Sequence, residues 1–479
     1  MELTSTEFII LLPIAVLLYY LVPGKAQKYC LLLLNLLFYA SFGYQFIAVI
    51  VFEAVIAWVA SYYFSKNVED SQKNCVLVGI SVVLFVGILL FYKLGSSLTS
   101  SIVAPLGISF YTLQAISYVI DVKRRVIPAE KSLLNLIIYL SFFPTITSGP
   151  IYRYKDFFED PQRLTVGVKP EYERIINGIL YIIYGYFLKL VIAARAGIAV
   201  DKVFGDYIKE QYGGIILAVV AVLYSIQIFT DFAGYSAIVI GIAQILGYSI
   251  PENFLAPYLS MSVREFWGRW HISFSSWLKD YVYIPLGGNR KGKLRKYLNV
   301  LITFAVSGIW HGVNGWHFLV WGLLHGSYQV IGDCTRTLRQ KCFPYLGIVE
   351  GSYFHRLTKR LFAFSLVTIA WVFFRTGVSD ALRYLRYTVT SLGLKQVFGG
   401  GFLQMGLSNL DWTVLVGALL IMVITDIVQY RKGLRFDAAI SSQGVFARCV
   451  IVIALSLYIL IFGIYGDQHD ASYFIYRGF

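Results

Sequence analysis

Trp310-His311-Gly312 lies inside a long apolar segment, residues 301–331. Insertion scales put a charge at the bilayer centre at about 2.5–3.5 kcal/mol, so an ionisable residue in such a run is a functional candidate. Imidazole takes and returns a proton near neutral pH, which makes His311 a candidate general base. Gly308 and Gly312 flank it and let a neighbouring helix or a substrate come close. Upstream lies a second unusual run, Arg264-Glu265-Phe266-Trp267-Gly268-Arg269-Trp270-His271. Two histidines, a dense aromatic cluster and a basic strip in one apolar chain point to proton-transfer chemistry at a site enclosed by helices. A lone histidine in an apolar helix is commonly a satisfied structural donor. Here His317 and His325 crowd the same region, and the context favours chemistry. Spacings of six and eight among the three do not give the i, i+4 geometry of a helical metal pair.

Two further polar groups need an explanation. Asp231, in Thr230-Asp231-Phe232-Ala233-Gly234-Tyr235-Ser236, follows a mostly apolar run and must face a partner or a cavity. Pairing with an arginine is its first reading, and orienting a catalytic histidine the second. Ser148 sits in Pro144-Thr145-Ile146-Thr147-Ser148-Gly149-Pro150-Ile151-Tyr152-Arg153, where two prolines and a glycine break any helix. Irregular backbone at membrane depth is tolerated where it is buried in protein or lines a cavity, so this is read as a broken segment beside a channel.

The elements that must hold these residues are legible in the hydropathy. The chain has 479 residues, 57% hydrophobic and 14% charged, with a mean hydropathy of +0.66. A soluble domain carries about 25% charged residues; the deficit implies a surface that faces lipid. Apolar runs recur, among them Phe8–Val22, Cys75–Leu90, Ile175–Ile192, Ile215–Phe229, Val414–Thr425 and Val450–Ile464. At ~20 residues per crossing they predict about eleven to thirteen spans, with Leu133–Tyr139 too short and read as re-entrant or buried. The runs are continuous, so barrel strands are excluded and the fold is all-α. Trp267, Trp270, Phe274 and Trp277, spaced three, four and three, predict one face of a single amphipathic helix ended by Pro285-Leu286-Gly287-Gly288. Residues 1–479 read as one membrane domain without a soluble module or an internal repeat. The lack of repeated halves weakens a transporter reading.

Phe8–Val22 reads as a retained first helix and not a cleaved signal. Lys25 and Lys28 after it, Lys123–Arg125, Arg290–Lys296, Arg336–Lys341 and Arg431–Lys432 are the expected cytoplasmic loops. The net charge of +14 fits the positive-inside bias and anionic headgroups, and also a docking surface for an acidic donor. Nucleic acid is not expected, because the basic residues flank spans and form no separate domain. The five cysteines are scattered and suggest neither a disulfide framework nor a zinc site. No phosphate loop, GxSxG elbow, HExxH or CxxC is present, which removes the common soluble hydrolase and kinase chemistries.

At these segments the chain resembles the membrane-bound O-acyltransferase (MBOAT) family, in its bacterial polysaccharide O-acetylation branch of the alginate type. The resemblance rests on Pro105–Asp121 (PLGISFYTLQAISYVID), Ser148–Arg153 (SGPIYR), Asp231–Ser236 (DFAGYS), Arg264–Asn289, Ile309–Gly312 (IWHG) and Trp371–Arg375 (WVFFR). It implies eleven or more helices with re-entrant segments around a central tunnel in the cytoplasmic membrane. The family's signature histidine falls on His311, and its second polar position on His271. Trp267, Trp270, Ser148, Asp231, Trp310 and Asn314 are then expected along the tunnel. Arg290, Lys291, Lys293, Arg295 and Lys296 would dock the donor. That donor is a substrate, acetyl-CoA or an acyl-carrier thioester, and no bound cofactor or metal is expected. The implied partners are an extracytoplasmic SGNH-type acyltransferase, a polysaccharide acceptor and membrane lipids. D-alanyl transfer to teichoic acid and non-enzymatic transport of an acyl group or lipid-linked sugar stay open as alternatives, as does an acyl-enzyme intermediate.

Overall fold

In hydrocarbon every backbone polar group must be satisfied within the segment, and long apolar runs therefore become helices. A computed structural model describes residues 3–66, 71–99, 101–158, 163, 166–206, 212–313 and 315–465. Its described elements are helical apart from one isolated β-bridge. The first part of the chain forms α1 (Thr6–Leu21), α2 (Gly24–Gly43), α3 (Ile47–Lys66), α4 (Ser71–Leu98), α5 (Ile108–Lys123), α6 (Leu133–Leu140), α7 (Tyr154–Phe157) and α8 (Tyr172–Tyr186). A π-helix, Phe187–Ala193, joins α8 to α9 (Ala194–Asp206), and α10 (Gly214–Ile245) follows. Beyond lie α11 (Val263–Trp267), α12 (Ile272–Leu278), α13 (Gly292–His311), α14 (Trp316–Cys334), α15 (Arg336–Cys342) and α16 (Tyr353–Arg375). The last are α17 (Val378–Thr390), α18 (Leu394–Phe398), α19 (Asn409–Lys432), α20 (Phe436–Ser441) and α21 (Val445–Phe462).

Among the described residues, seven helical stretches are long and apolar enough to cross a membrane: Gly24–Lys66, Gln72–Leu98, Tyr172–Asp206, Gly214–Ile245, Tyr353–Arg375, Asn409–Lys432 and Val445–Phe462. This is a multi-pass membrane protein. Seven is fewer than the roughly eleven to thirteen expected: Gly24–Lys66 holds two helices, α2 and α3, and α1 is a shorter apolar helix. The run 301–331 does not form one helix: it stops at His311 and restarts at Trp316, and both halves carry polar ends.

The described chain divides into two compact units, one drawn from Met1–Ile183 and Tyr235–Glu252, the other from Tyr184–Gly234 and Asn253–Ile475. In the first, the expected break around Pro144–Arg153 is present: residues 141–153 are turns and extended chain. The backbone groups freed there find partners. Asn35 on α2 donates to the Ile138 carbonyl (3.4 Å) and to Ser141 Oγ (3.3 Å) and accepts from the Phe143 N–H (3.0 Å). Tyr139 and Tyr152 each donate a hydroxyl to the other's carbonyl, at 3.0 and 2.7 Å. Gly107 lies against the same turn with φ +77°, and a Cβ there would sit 1.8 Å from the Ile146 carbonyl oxygen. Only glycine fits that approach.

In the second unit α13 and α14 pack against each other through glycines. A Cβ at Gly308 would meet the Phe318 carbonyl oxygen at 2.3 Å, and one at Gly322 the Phe304 carbonyl oxygen at 2.2 Å. Small residues of this kind let helix backbones touch in a membrane. Gly322→Ala is therefore expected to destabilise the unit by about 1–3 kcal/mol, the usual cost of overpacking. A thermal melt in detergent checks it; a melting temperature equal to wild type would contradict the close pairing.

Candidate active site

His311 is the last residue of α13 and is buried, 1% exposed. Four aromatic rings enclose it: Trp310 at 4.8 Å between centroids, Trp321 at 5.0 Å, Phe374 at 5.4 Å and Phe274 at 5.8 Å. They come from α13, α14, α16 and α12, so four helices of one unit converge on this imidazole. An imidazole enclosed in this way is screened from water.

His271 reaches the same cluster by a different route. The aromatic spacing predicted one continuous helix, but α11 ends at Trp267 and α12 begins at Ile272. Backbone pairing overrides helical periodicity there. The Leu255 N–H donates to the Arg269 carbonyl and the Ile272 N–H to the Asn253 carbonyl, both at 3.0 Å, and Phe254 bridges Trp270. His271 is held between these bonds in the left-handed region, φ +45° and ψ +52°. A non-glycine residue there is uncommon and clusters at functional sites. Its Nδ1 lies 3.0 Å from Asn253 Oδ1. That amide atom also receives the Ser273 N–H at 3.3 Å and the Ser273 hydroxyl at 2.9 Å. A backbone N–H can only donate, so the amide presents its oxygen, and His271 Nδ1 must carry the proton. The Nε2 lone pair of the neutral ring is then the chemically available one. Burial pushes the His271 imidazole down to about 3, which keeps the ring neutral.

The two histidines share aromatic neighbours. Phe274 is 5.0 Å from His271 and 5.8 Å from His311; Trp310 is 6.4 Å from the first and 4.8 Å from the second. Phe232 adds a ring edge to His271 at 4.8 Å. Trp267 joins through Trp321, 5.8 Å away, and Trp321 in turn contacts His311. Trp270 turns elsewhere, onto Phe254 and Trp371, both at 5.0 Å. His317 is half-buried against Phe318 and His325 is fully buried one turn beyond Trp321.

Asp231 has a lysine where an arginine was expected. Its carboxylate is ion-paired with Lys189, and both are buried. The π-helix Phe187–Ala193 explains the pairing, since its extra residue per turn re-aims a side chain inside an otherwise regular helix. Ser148 is buried in the turn of the first unit, and Asn314 lies outside the described residues. In the basic strip, Arg290, Lys291, Lys293 and Arg295 are exposed, and Lys296 is ion-paired with Asp333 at 2.6 Å. The strip leads into α13 at the end opposite His311, about 30 Å away at 1.5 Å per residue.

Sequence reasoning missed Asn253, which fixes the His271 tautomer, and Trp321 and Phe374, which wall His311. Nothing in the spacing pointed to Asn253, because its link to His271 is made by tertiary backbone pairing.

The chain is thus all-α and multi-pass, with two buried histidines behind one aromatic wall. Residues 123–375 match the model of MBOAT, the membrane-bound O-acyltransferase family. The chain belongs to this family, and with it to the membrane acyltransferases. Both histidines lie inside the matched region. The chain is 32% identical to the probable alginate O-acetylase AlgI of Pseudomonas putida over 397 residues, 78% of this chain and 77% of that one. It is 29% identical to the peptidoglycan O-acetyltransferase of Helicobacter pylori over 425 residues, 78% and 77% of the two chains. It is also 32% identical to the teichoic acid D-alanyltransferase of Streptococcus thermophilus over 301 residues, 60% and 70% respectively.

Proposed function

We propose that this chain moves an acyl group, acetyl in the favoured reading, from a cytoplasmic thioester across the membrane for O-acetylation of an extracellular or cell-wall polysaccharide. The observation that carries the reading is the pair of buried histidines sharing Phe274 and Trp310. A general base and an orienting group placed side by side, with water kept out, are what acyl transfer from a thioester to an alcohol needs. His311 takes the proton of the acceptor hydroxyl as its oxygen attacks the thioester carbonyl. The carbon–sulfur bond then breaks, and His311 returns the proton to the thiolate. His271, fixed by Asn253, orients the acceptor or the acyl carbonyl through Nε2.

Eleven or more spans around a tunnel, with re-entrant segments, complete this proposal. The short α6 and the helix-free 141–153 segment support it. Trp267, Trp310 and Asp231 belong to the tunnel in this reading. Trp270, turned onto Trp371, supports its wall from behind. The Arg290–Lys296 strip faces the cytoplasm and attracts the phosphates of the donor or an acidic carrier, since basic clusters raise encounter rates. A polymer needs a groove to be positioned in, and the described loops are short. An extracytoplasmic SGNH-type acyltransferase, as family resemblance implies, then completes transfer.

D-alanyl transfer is the second reading, favoured by the similarity to the teichoic acid enzyme. One experiment separates the two and tests the partner. The purified chain is given labelled acetyl-CoA or an aminoacylated carrier protein, with polysaccharide, with and without an SGNH-type partner. Label is expected from acetyl-CoA, and on polymer only with the partner. Label from the carrier alone would move the assignment to D-alanylation; full polymer acetylation without a partner would show that the chain works by itself.

A further inference from the structure

Between α11, α14, α15 and α16 the second unit holds a cavity of about 380 Å³. That is within the size range of small-molecule sites. Four cations reach its lining: Arg264, Arg336, Arg339 and Lys359, against two carboxylates, Asp333 and Glu350. Asp333 is already engaged. It accepts from Lys296 at 2.6 Å and Tyr297 at 3.1 Å, and Arg264 lies 3.7 Å away. Arg339 donates to the Gly332 carbonyl at 2.7 Å. Arg336 and Lys359 enter no ion pair among the described residues, so the cavity is left with cations to spare. One side is apolar, with Phe362 and Leu366 of α16. A guanidinium and an ammonium lining one cavity suit a phosphate, and Arg can hold one through two parallel bonds. An apolar side next to them suits a phosphate ester with a long, weakly polar arm better than a free ion.

A second observation lies outside this lining, one helical turn away on α14. Tyr328 and Gln329 of α14 line the cavity, and one turn earlier on the same helix stands His325. His325 is fully buried, yet neither ring nitrogen has a hydrogen-bond partner among the described residues. The same is true of the indole nitrogens of Trp267 and Trp321, which pack on it at 5.2 and 5.1 Å. Buried polar atoms of this kind are normally satisfied, so a group of them together points to a polar ligand or ordered water. Trp321 also touches His311 at 5.0 Å.

We propose that this cavity is a phosphate-ester binding site, with Arg336 and Lys359 as its cations and His325 receiving polar groups of the ligand's arm. The phosphate site stands independently of the acyl-transfer reading; the extension toward His325 rests on it. Two molecules present this chemistry, a thioester donor built on a nucleotide phosphate and an anionic phospholipid.

The test measures binding to the full-length protein in phosphatidylcholine nanodiscs. The probes are coenzyme A in solution and phosphatidylglycerol added to the disc. Coenzyme A is expected to bind wild type and to weaken about tenfold or more in the Arg336→Ala/Lys359→Ala double variant, the loss of one or two charge-assisted hydrogen bonds. The Arg336→Lys/Lys359→Arg exchange should retain most of the binding, and also controls for folding. Lys341→Ala, at an exposed cation of α15 outside the lining, should bind coenzyme A as wild type does, which separates this site from general surface charge. Charge-dependent binding of phosphatidylglycerol alone would keep the phosphate site and overturn the extension toward His325. Equal binding of both probes by wild type and the double alanine variant would overturn the proposal.

Discussion

His311→Ala should reduce acyl transfer by roughly 10²–10⁴-fold, the usual cost of removing a general base. The protein itself should persist. The imidazole is enclosed by Trp310, Trp321, Phe374 and Phe274, whose packing belongs to four separate helices. Truncation leaves a small hole in that wall, and His311→Gln fills more of it without restoring the base. Both variants should therefore be inactive at near wild-type membrane abundance. Quantifying polymer acylation against immunodetected protein checks this. More than half of wild-type acylation at equal abundance would remove His311 from the role of base.

The second large effect is expected at His271, and its sign depends on the replacement. Asparagine carries its amide nitrogen on Cγ, where histidine carries Nδ1, and can keep donating to Asn253 Oδ1. It also tolerates the left-handed backbone found at this position. Alanine keeps neither property. A left-handed residue without local support costs roughly 1–2 kcal/mol, and the Asn253 oxygen loses a donor. His271→Ala should be strongly impaired and His271→Asn clearly less so, measured as kcat and KM for the acyl donor. Equal loss in both would mean that Nε2 itself moves a proton, and the roles of the two histidines would need to be exchanged or shared.

The features that follow from composition and periodicity were legible in the chain: the helical class, the apolar runs, the break at Pro144–Arg153 and His311 as a buried group. They are set by local chemistry, namely the lack of water in hydrocarbon and the effect of proline and glycine on the backbone. The helix break before His271 was not legible, because spacings of three, four and three fit an unbroken helix. Pairing of residues 253–255 with 269–272 decides the matter, and no periodicity encodes it. Lys189 is a different case. A single lysine inside Ile175–Ile192 was itself a signal that an anionic partner stood nearby, and Asp231 is that partner. Its pairing depends on a π-helix that propensities do not reveal.

The most direct measurement places wild type or His311→Ala in sealed vesicles of known orientation, with the Arg290–Lys296 strip outward. Labelled acetyl thioester is added outside, and a hydroxyl acceptor with its extracytoplasmic partner is enclosed inside. Label is expected on the enclosed acceptor as an ester with wild type and at background with His311→Ala. Equal labelling by the two proteins, or label that stays outside with wild type, would contradict histidine-dependent acyl transfer across the membrane.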